Sequence, residues 1–250
     1  MVHFVGAGSG APDLITLRGM RLLQQADVVI YAGSLVNPAL LEYCKEGTKI
    51  HDSARMHLEE VLTVMEEAEA AGRDTVRLHT GDPSIYGAIR EQMDILRQKG
   101  IAFDICPGVS SMSAAAAALE AEYTLPEVSQ TVIISRIAGR TPVPDKEALP
   151  KLAGIGATLI LFLSAGKTAE VQKELLQGAY REETPCAIVY KASWPQQRVL
   201  RGHVGELARM AEENGIRETA LIIVGDILGD DYALSKLYDQ HFTTGYRKGS

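Results

Sequence analysis

"VHFVGAGSGAPDLITLRG", Val2 to Gly19, runs an apolar stretch into three glycines at alternate positions, Gly6, Gly8 and Gly10. A short apolar run emptying into a glycine loop is the usual opening of an α/β unit, and Gly6, Gly8 and Ala11 satisfy the loose dinucleotide pattern GxGxxG/A. That pattern also needs a helix N-terminus at the loop, aimed at the pyrophosphate, and an acid near the end of the second strand for the ribose. Here Pro12 and Asp13 intervene, and the first helix is expected only from Thr16, whose hydroxyl suits an N-cap. The second strand runs into "VVIYAGSLV", and its nearest acid, Asp27, stands at its beginning. Two of the three conditions fail, so the glycines are expected to serve a ligand other than a nicotinamide or flavin dinucleotide.

Outward from this stretch, short β-branched runs alternate with helical ones, the pattern of a parallel α/β architecture. Strands are predicted at 3–7, 27–32, 48–51, 74–80 and 101–106. Helices are predicted from Thr16, from Pro38, and over 57–72, 88–100 and 110–120. In 57–72, Leu58, Val61, Leu62 and Met65 share a face, acids crowd the other, and Gly72 supplies the stop. The periodicity lapses in "AEYTLPEV" (121–128), which predicts two α/β domains, 1–125 and 126–250. The second half reads as strands at 130–135, 157–163, 185–190, 197–201 and 219–225, with helices at 145–153, 167–177 and 205–214. Ligands of such folds sit beyond the carboxyl ends of strands, so the loops there are the places to search.

Composition narrows the function classes. The 250 residues are 46% hydrophobic and 23% charged, ordinary for a globular protein. No apolar run approaches the ~20 residues of a membrane helix, and the N-terminus lacks the pattern of a secretory leader; a cytoplasmic protein is expected. A formal net charge of -7 argues against a general affinity for nucleic acid. Cys44, Cys106 and Cys186 are too far apart for a CxxC pair, and the histidines have no ligand spacing, so no metal is expected.

Other motifs fall short. "LFLSAGKT" (161–168) resembles the end of a P-loop, but the glycine required five residues before Gly166 is Leu161; Gly166 is expected to turn the chain and Thr168 to cap a helix. Ser9 and Ser110 lack the flanking glycines of a GxSxG nucleophile. What remains is a set of small-residue loops, "GAGSGAP", "TGDPSIYG", "PGVSS", "LSAGK" and "KASWP". They contain no basic cluster for phosphates and one carboxylate, Asp82. Small residues let backbone approach a flat ligand closely, which is compatible with a nucleoside carrying no phosphate.

Taken in order, "VGAGSGAPDLITLRG", "ADVVIYAGSLV", "RLHTGDPSIYG", "CPGVSSMSAAAAALE" and "ALIIVG" resemble the tetrapyrrole (corrin/porphyrin) methyltransferases over about residues 2–246. "YAGSLVNPALL", "HDSARMHLEEV", "YKASWPQQRVLRG" and "LYDQHFTTGYR" are similar to the branch acting on carbon 11 of precorrin-4 or cobalt-precorrin-4 in cobalamin biosynthesis. The resemblance implies two α/β domains of tetrapyrrole-methylase type, S-adenosylmethionine held in the inter-domain cleft, S-adenosylhomocysteine as product, and a homodimer. The uroporphyrinogen-III branch carries "YDRLV" with a functional aspartate; the segment here is "YAGSLV", with Ala32 and Gly33, which disfavours that branch. Other readings are a different family member, such as diphthine synthase, a dinucleotide oxidoreductase, or a non-catalytic nucleotide binder.

Carried over residue by residue, the resemblance implies cofactor contacts at Ser9, Thr80, Gly81, Asp82, Ile85, Ser110, Ser111, Leu163, Ala192, Thr219 and Ala220. Methyl transfer from a sulfonium needs alignment and a dry site rather than an enzyme nucleophile, and the sequence identifies no proton acceptor. A polyanionic tetrapyrrole needs a basic rim on an acidic protein. Arg55, Arg136, Arg140, Lys191, Arg198 and Arg201 flank the family loops and are candidates for its carboxylates. Trp194, the one tryptophan, is a candidate to flank the macrocycle or to pack between domains.

Overall fold

The computed structural model describes residues 1–250 and divides into two compact units. The first comprises Met1–Ala114 together with Ala192–Gln196; the second comprises Ala115–Lys191 and Gln197–Ser250.

The first unit is a five-stranded parallel sheet. Its strands are β1 (Val2–Gly6), β2 (Val28–Tyr31), β3 (Lys49–Asp52), β4 (Thr75–His79) and β5 (Phe103–Cys106), in the order β3-β2-β4-β1-β5. Helices α1 (Leu17–Gln25), α2 (Leu58–Ala70) and α3 (Arg90–Gln98) lie between strands in the chain, and α4 (Ser111–Leu119) runs across the limit of the unit. Alternate side chains along the strands enter two cores. Val5, Val29, Val76 and Leu78 pack with Leu23 of α1, and Phe4 and Ile30 pack with Val61, Leu62 and Met65 of α2 and Leu96 of α3. Apolar side chains on both faces explain why β1 and β2 read as hydrophobic runs.

Local signals set the ends of these elements. The Thr16 hydroxyl accepts the Gly19 N–H at 3.0 Å and caps α1. Pro12 instead opens a separate short 3-10 helix, Pro12–Leu14. Helix α2 is held at its start by the Glu60 carboxylate on the His57 N–H at 2.7 Å, and Gly72 beyond its end takes φ +66°. The strand order has a consequence for function. A dinucleotide-binding half orders its first three strands 3-2-1, whereas here β4 stands between β2 and β1.

The second unit holds β6 (Val132–Ser135), β7 (Thr158–Leu161), β8 (Pro185–Tyr190), β9 (Arg198–His203) and β10 (Ala220–Val224), in the order β6-β7-β10-β8-β9. The expected parallel arrangement is corrected here, because only β6 and β7 are parallel. Strand β10 runs antiparallel to β7 and β8, and β8 antiparallel to β9. Residues 191–197 between β8 and β9 are too few for the dozen or so that a parallel crossover needs. Leu159, Leu161, Ile188, Ile222 and Val224 form the core with Val171 and Leu175 of α6 (Thr168–Leu175) and Leu207 of α7 (Leu207–Glu213).

Two local expectations change. Thr168 is the first residue of α6 rather than its cap, because a 3-10 turn, Ala165–Lys167, leads directly into the helix. The helix expected over 145–153 is a turn at Asp145–Glu147 followed by α5 (Leu149–Ala153); Pro150 has no N–H with which to continue a helix from the preceding turn. No helix is long and apolar enough to cross a membrane.

Candidate functional site

Because β1, β4 and β5 are parallel neighbours, the loops that follow them emerge side by side. Backbone packs directly on backbone where they meet. Gly8 and Gly81 exchange N–H···O bonds at 3.3 and 2.8 Å. A Cβ on Gly6 would lie 2.5 Å from the Gly108 Cα, and one on Gly108 would lie 2.2 Å from the Gly81 oxygen. Gly8 and Gly81 also hold φ values of +80° and +60°, where side chains are strained. The glycines therefore bring three loops closer than any side chain would permit.

Asp82 fastens the second loop to the third. Its carboxylate accepts the Ser84 N–H at 2.9 Å, the Ser84 hydroxyl, and the Gly108 N–H at 2.8 Å. Partial burial works to raise its pKa, but these three donors prevail and hold it below the ordinary carboxylate value. The rest of this loop is tightly wound. Tyr86 and Ala88 take φ values of +55° and +50°, a Cβ on Gly87 would meet the Pro83 oxygen at 2.2 Å, and the Gln92 amide donates to the Ala88 carbonyl at 3.1 Å. Such strain persists only where surroundings over-determine it, and it gathers at functional sites. Beneath, burial first and the Arg77 charge second push the His79 imidazole down to about 3.

Segment 192–196 closes over the glycine loop. Ser193 Oγ lies 2.9 Å from Ser9 Oγ and accepts the Ala11 N–H at 3.1 Å. Trp194 Nε1 donates to the Ser9 carbonyl at 3.1 Å. Asn37 Nδ2 donates to the Gly10 carbonyl at 2.8 Å.

Of the positions singled out in the sequence, Ser9, Gly81, Asp82, Ser110 and Ser111 meet in these loops; the Cβ of a side chain at Gly81 would stand 3.5 Å from the Ser111 nitrogen. Thr80 reaches the Leu35 carbonyl at 3.4 Å, Ile85 donates its N–H to the Asp82 carbonyl at 3.3 Å, and Ala192 is buried in the covering segment. Arg55 ends a short exposed turn after β3. In the second unit, the register pairing Ile222 with Leu161 leads on towards Ala220 and Leu163, and the Thr219 carbonyl accepts the Lys191 N–H at 2.9 Å. Leu163, Lys191 and Thr219 hold φ of +51°, +47° and +53°, and Leu163 is 68% exposed, so it does not serve the core.

The basic candidates differ in what already occupies them. Arg136 donates to the Thr141 and Pro142 carbonyls at 3.1 and 2.7 Å, and Arg201 donates to the Leu119 carbonyl. Lys191 and Arg198 both lie over the Tyr190 ring, 5.5 and 4.8 Å from its centroid, and Arg198 also donates to the Asn214 carbonyl at 3.1 Å. Arg140 is exposed. Sequence reading did not single out Ser193 and Asn37, nor the contact of Gly6 with Gly108, because nothing in the chain order announces them; it left Trp194 without a position.

The three loops of the first unit, 7–15, 80–89 and 107–110, contain no lysine or arginine. They suit a ligand with no phosphate and with a cationic centre near a carboxylate. The family model of the tetrapyrrole (corrin/porphyrin) methylases matches residues 1–208, and the chain belongs to that family. It is 54% identical to the cobalt-precorrin-4 C(11)-methyltransferase of Methanocaldococcus jannaschii over 99% of this chain and 96% of that one. A solved cobalt-precorrin-4 methyltransferase, a cobalamin biosynthetic enzyme, superposes with TM-score 0.90 at 48% identity, covering 92% of this chain and 96% of that one. The uroporphyrin-III C-methyltransferase of Thermus thermophilus, solved with S-adenosylhomocysteine, has TM-score 0.76 at 27% identity, covering 91% and 93%.

Proposed function

We propose that this protein methylates carbon 11 of precorrin-4 or cobalt-precorrin-4 in cobalamin biosynthesis, using S-adenosylmethionine and releasing S-adenosylhomocysteine. The observation that carries the reading is the end-to-end likeness to the cobalt-precorrin-4 enzyme of Methanocaldococcus jannaschii. The cofactor, when bound, supplies an electrophilic methyl group on a sulfonium. This chain's part is to bind, orient and exclude water.

In the first unit, Ser9, Thr80, Gly81, Asp82, Ile85, Ser110, Ser111 and Ala192 are assigned to the cofactor; in the second, Leu163, Thr219 and Ala220. Backbone that the glycines leave uncovered by side chains lets a flat, uncharged nucleoside approach closely, and the ionised Asp82 favours a cationic neighbour. Lys191 and Arg198 are assigned to substrate carboxylates, with Arg55, Arg136, Arg140 and Arg201 as further members of the rim. The strand order and the absence of basic residues in the loops speak against a dinucleotide. A cytoplasmic homodimer completes the reading, and light scattering in solution tests the dimer.

The deciding experiment incubates purified protein with methyl-labelled S-adenosylmethionine and, separately, precorrin-4, cobalt-precorrin-4 and uroporphyrinogen III. Label entering either precorrin-4 form at carbon 11 supports the proposal. Label entering only uroporphyrinogen III, or none entering any substrate despite cofactor binding, refutes it.

A further inference from the structure

We propose that Ser193 and Trp194 are positioning residues that hold the glycine loop in the shape that receives the cofactor; this rests on the cofactor reading above. Residues 9–11 receive their external hydrogen bonds from two sides. Asn37 holds the Gly10 carbonyl at 2.8 Å. Ser193 holds Ser9 Oγ and the Ala11 N–H, and Trp194 holds the Ser9 carbonyl, from positions 182 to 185 residues away in the chain. The Trp194 indole also fills the space a side chain at Gly10 would take, with its Cδ1 only 2.1 Å from where that Cβ would stand.

The loop cannot fix its own shape. Gly8 and Gly10 hold φ of +80° and +154°, and glycine has little intrinsic preference among such conformations. Gly81 fixes the loop at Gly8 and Asn37 fixes it at Gly10; the contacts from 193 and 194 fix which way the backbone groups of Ser9 and Ala11 face. Ser193 itself holds φ +66°, which a serine adopts only where its surroundings impose it. Both side chains act through Ser9, Gly10 and Ala11, which they touch.

Trp194 is the only tryptophan, so the tryptophan emission of the chain comes from a residue in contact with this loop. The test measures S-adenosylhomocysteine affinity in the full chain by calorimetry for wild type, Ser193→Gly, Ser193→Ala and Trp194→Phe, and by tryptophan emission for the three forms that keep Trp194. Ser193→Gly removes the hydroxyl while relieving the positive φ, so its thermal midpoint should stay level or rise while the dissociation constant increases about tenfold, the effect of losing a hydrogen bond or two. Trp194→Phe keeps an aromatic ring, smaller than the indole, and removes the N–H; it should raise the KM for S-adenosylmethionine by more than it lowers kcat. Wild-type emission should shift on binding.

Unchanged affinity in all three variants, or an emission that does not move on binding, overturns the proposal. So does affinity that weakens only in step with a lowered midpoint, which would assign both residues to stability. Failure of the wild type to bind S-adenosylhomocysteine at all is a different result and overturns the cofactor reading itself.

Discussion

Replacing Gly108 by alanine puts the contact of the three loops under direct test. The new Cβ would lie 2.2 Å from the Gly81 oxygen and 2.7 Å from the Gly6 Cα, against ~3.5 Å for comfortable contact between such atoms. Both neighbours are backbone, so no side chain can rotate away, and one loop must move by about 1 Å. The Gly81 oxygen accepts the Gly8 N–H at an already long 3.3 Å, so the movement tends to break that bond. Overpacking costs about 1–3 kcal/mol and the lost bond about 1 kcal/mol. At ~2–4 °C per kcal/mol for a chain of this size, the thermal midpoint should fall by roughly 5–15 °C, with affinity for S-adenosylhomocysteine falling too. Gly139→Ala is the control, since nothing lies within 4 Å of its added Cβ; it should change stability by no more than ~0.5 kcal/mol. Equal midpoints for the two variants, measured by scanning calorimetry, together with unchanged affinity would refute the close-packed glycine account.

Asp82→Asn should cost about 1–3 kcal/mol, because the amide keeps one acceptor oxygen and its NH2 must face either the Gly108 or the Ser84 N–H, donor against donor; urea unfolding at neutral pH checks it. The Asp82 carboxyl is held below its ordinary value of 3.8, so it contributes stability above that pH, which is lost as pH falls through the lowered pKa. The asparagine variant should lose less stability in that acidic window. His79 works over a different range: its pKa drops from 6.5 to about 3 in the fold, so on acidification the unfolded chain takes up a proton that the folded one refuses. Between those values stability should fall with pH by up to ~1.4 kcal/mol per unit, and His79→Leu should flatten that slope in urea titrations at pH 7 and 5. Arg201→Met should destabilise by ~1–3 kcal/mol by leaving the Leu119 carbonyl without its charged donor, and a substrate affinity that also collapses would show the arginine serving the rim as well. Burial pushes the Cys186 thiol up to about 12, whereas Cys44 is only half-buried; alkylation at pH 8 followed by peptide mapping should find Cys44 modified well before Cys186.

The elements legible in the sequence were those whose signals are local. The Thr16 cap, the Val61–Leu62–Met65 stripe and the stops at Gly72 and Gly100 depend on neighbours within a turn or two, and the central strands β1 and β2 appear as apolar runs because both faces are buried. Strand direction in the second unit was not legible, since β10 inserts between β7 and β8 through pairings that no local pattern encodes. In the candidate site, Gly81 and Asp82 stood out as a glycine and a carboxylate in one loop. Non-glycine residues at positive φ, Leu163, Lys191, Ser193 and Thr219 among them, carry no mark in the sequence, because tertiary contacts impose their conformation.

The inclusion of Ala192–Gln196 in the first unit has a consequence for how the protein is made and how it can change. The parallel sheet is complete in sequence by Cys106, yet the residues that cover its glycine loop are synthesised more than eighty positions later. A sheet that formed during translation would keep that loop uncovered until the β8–β9 connection left the ribosome. For the same reason residues 1–114 are not an exchangeable cassette: a gene fusion or truncation that cut there would transplant the sheet and leave behind the piece that finishes it.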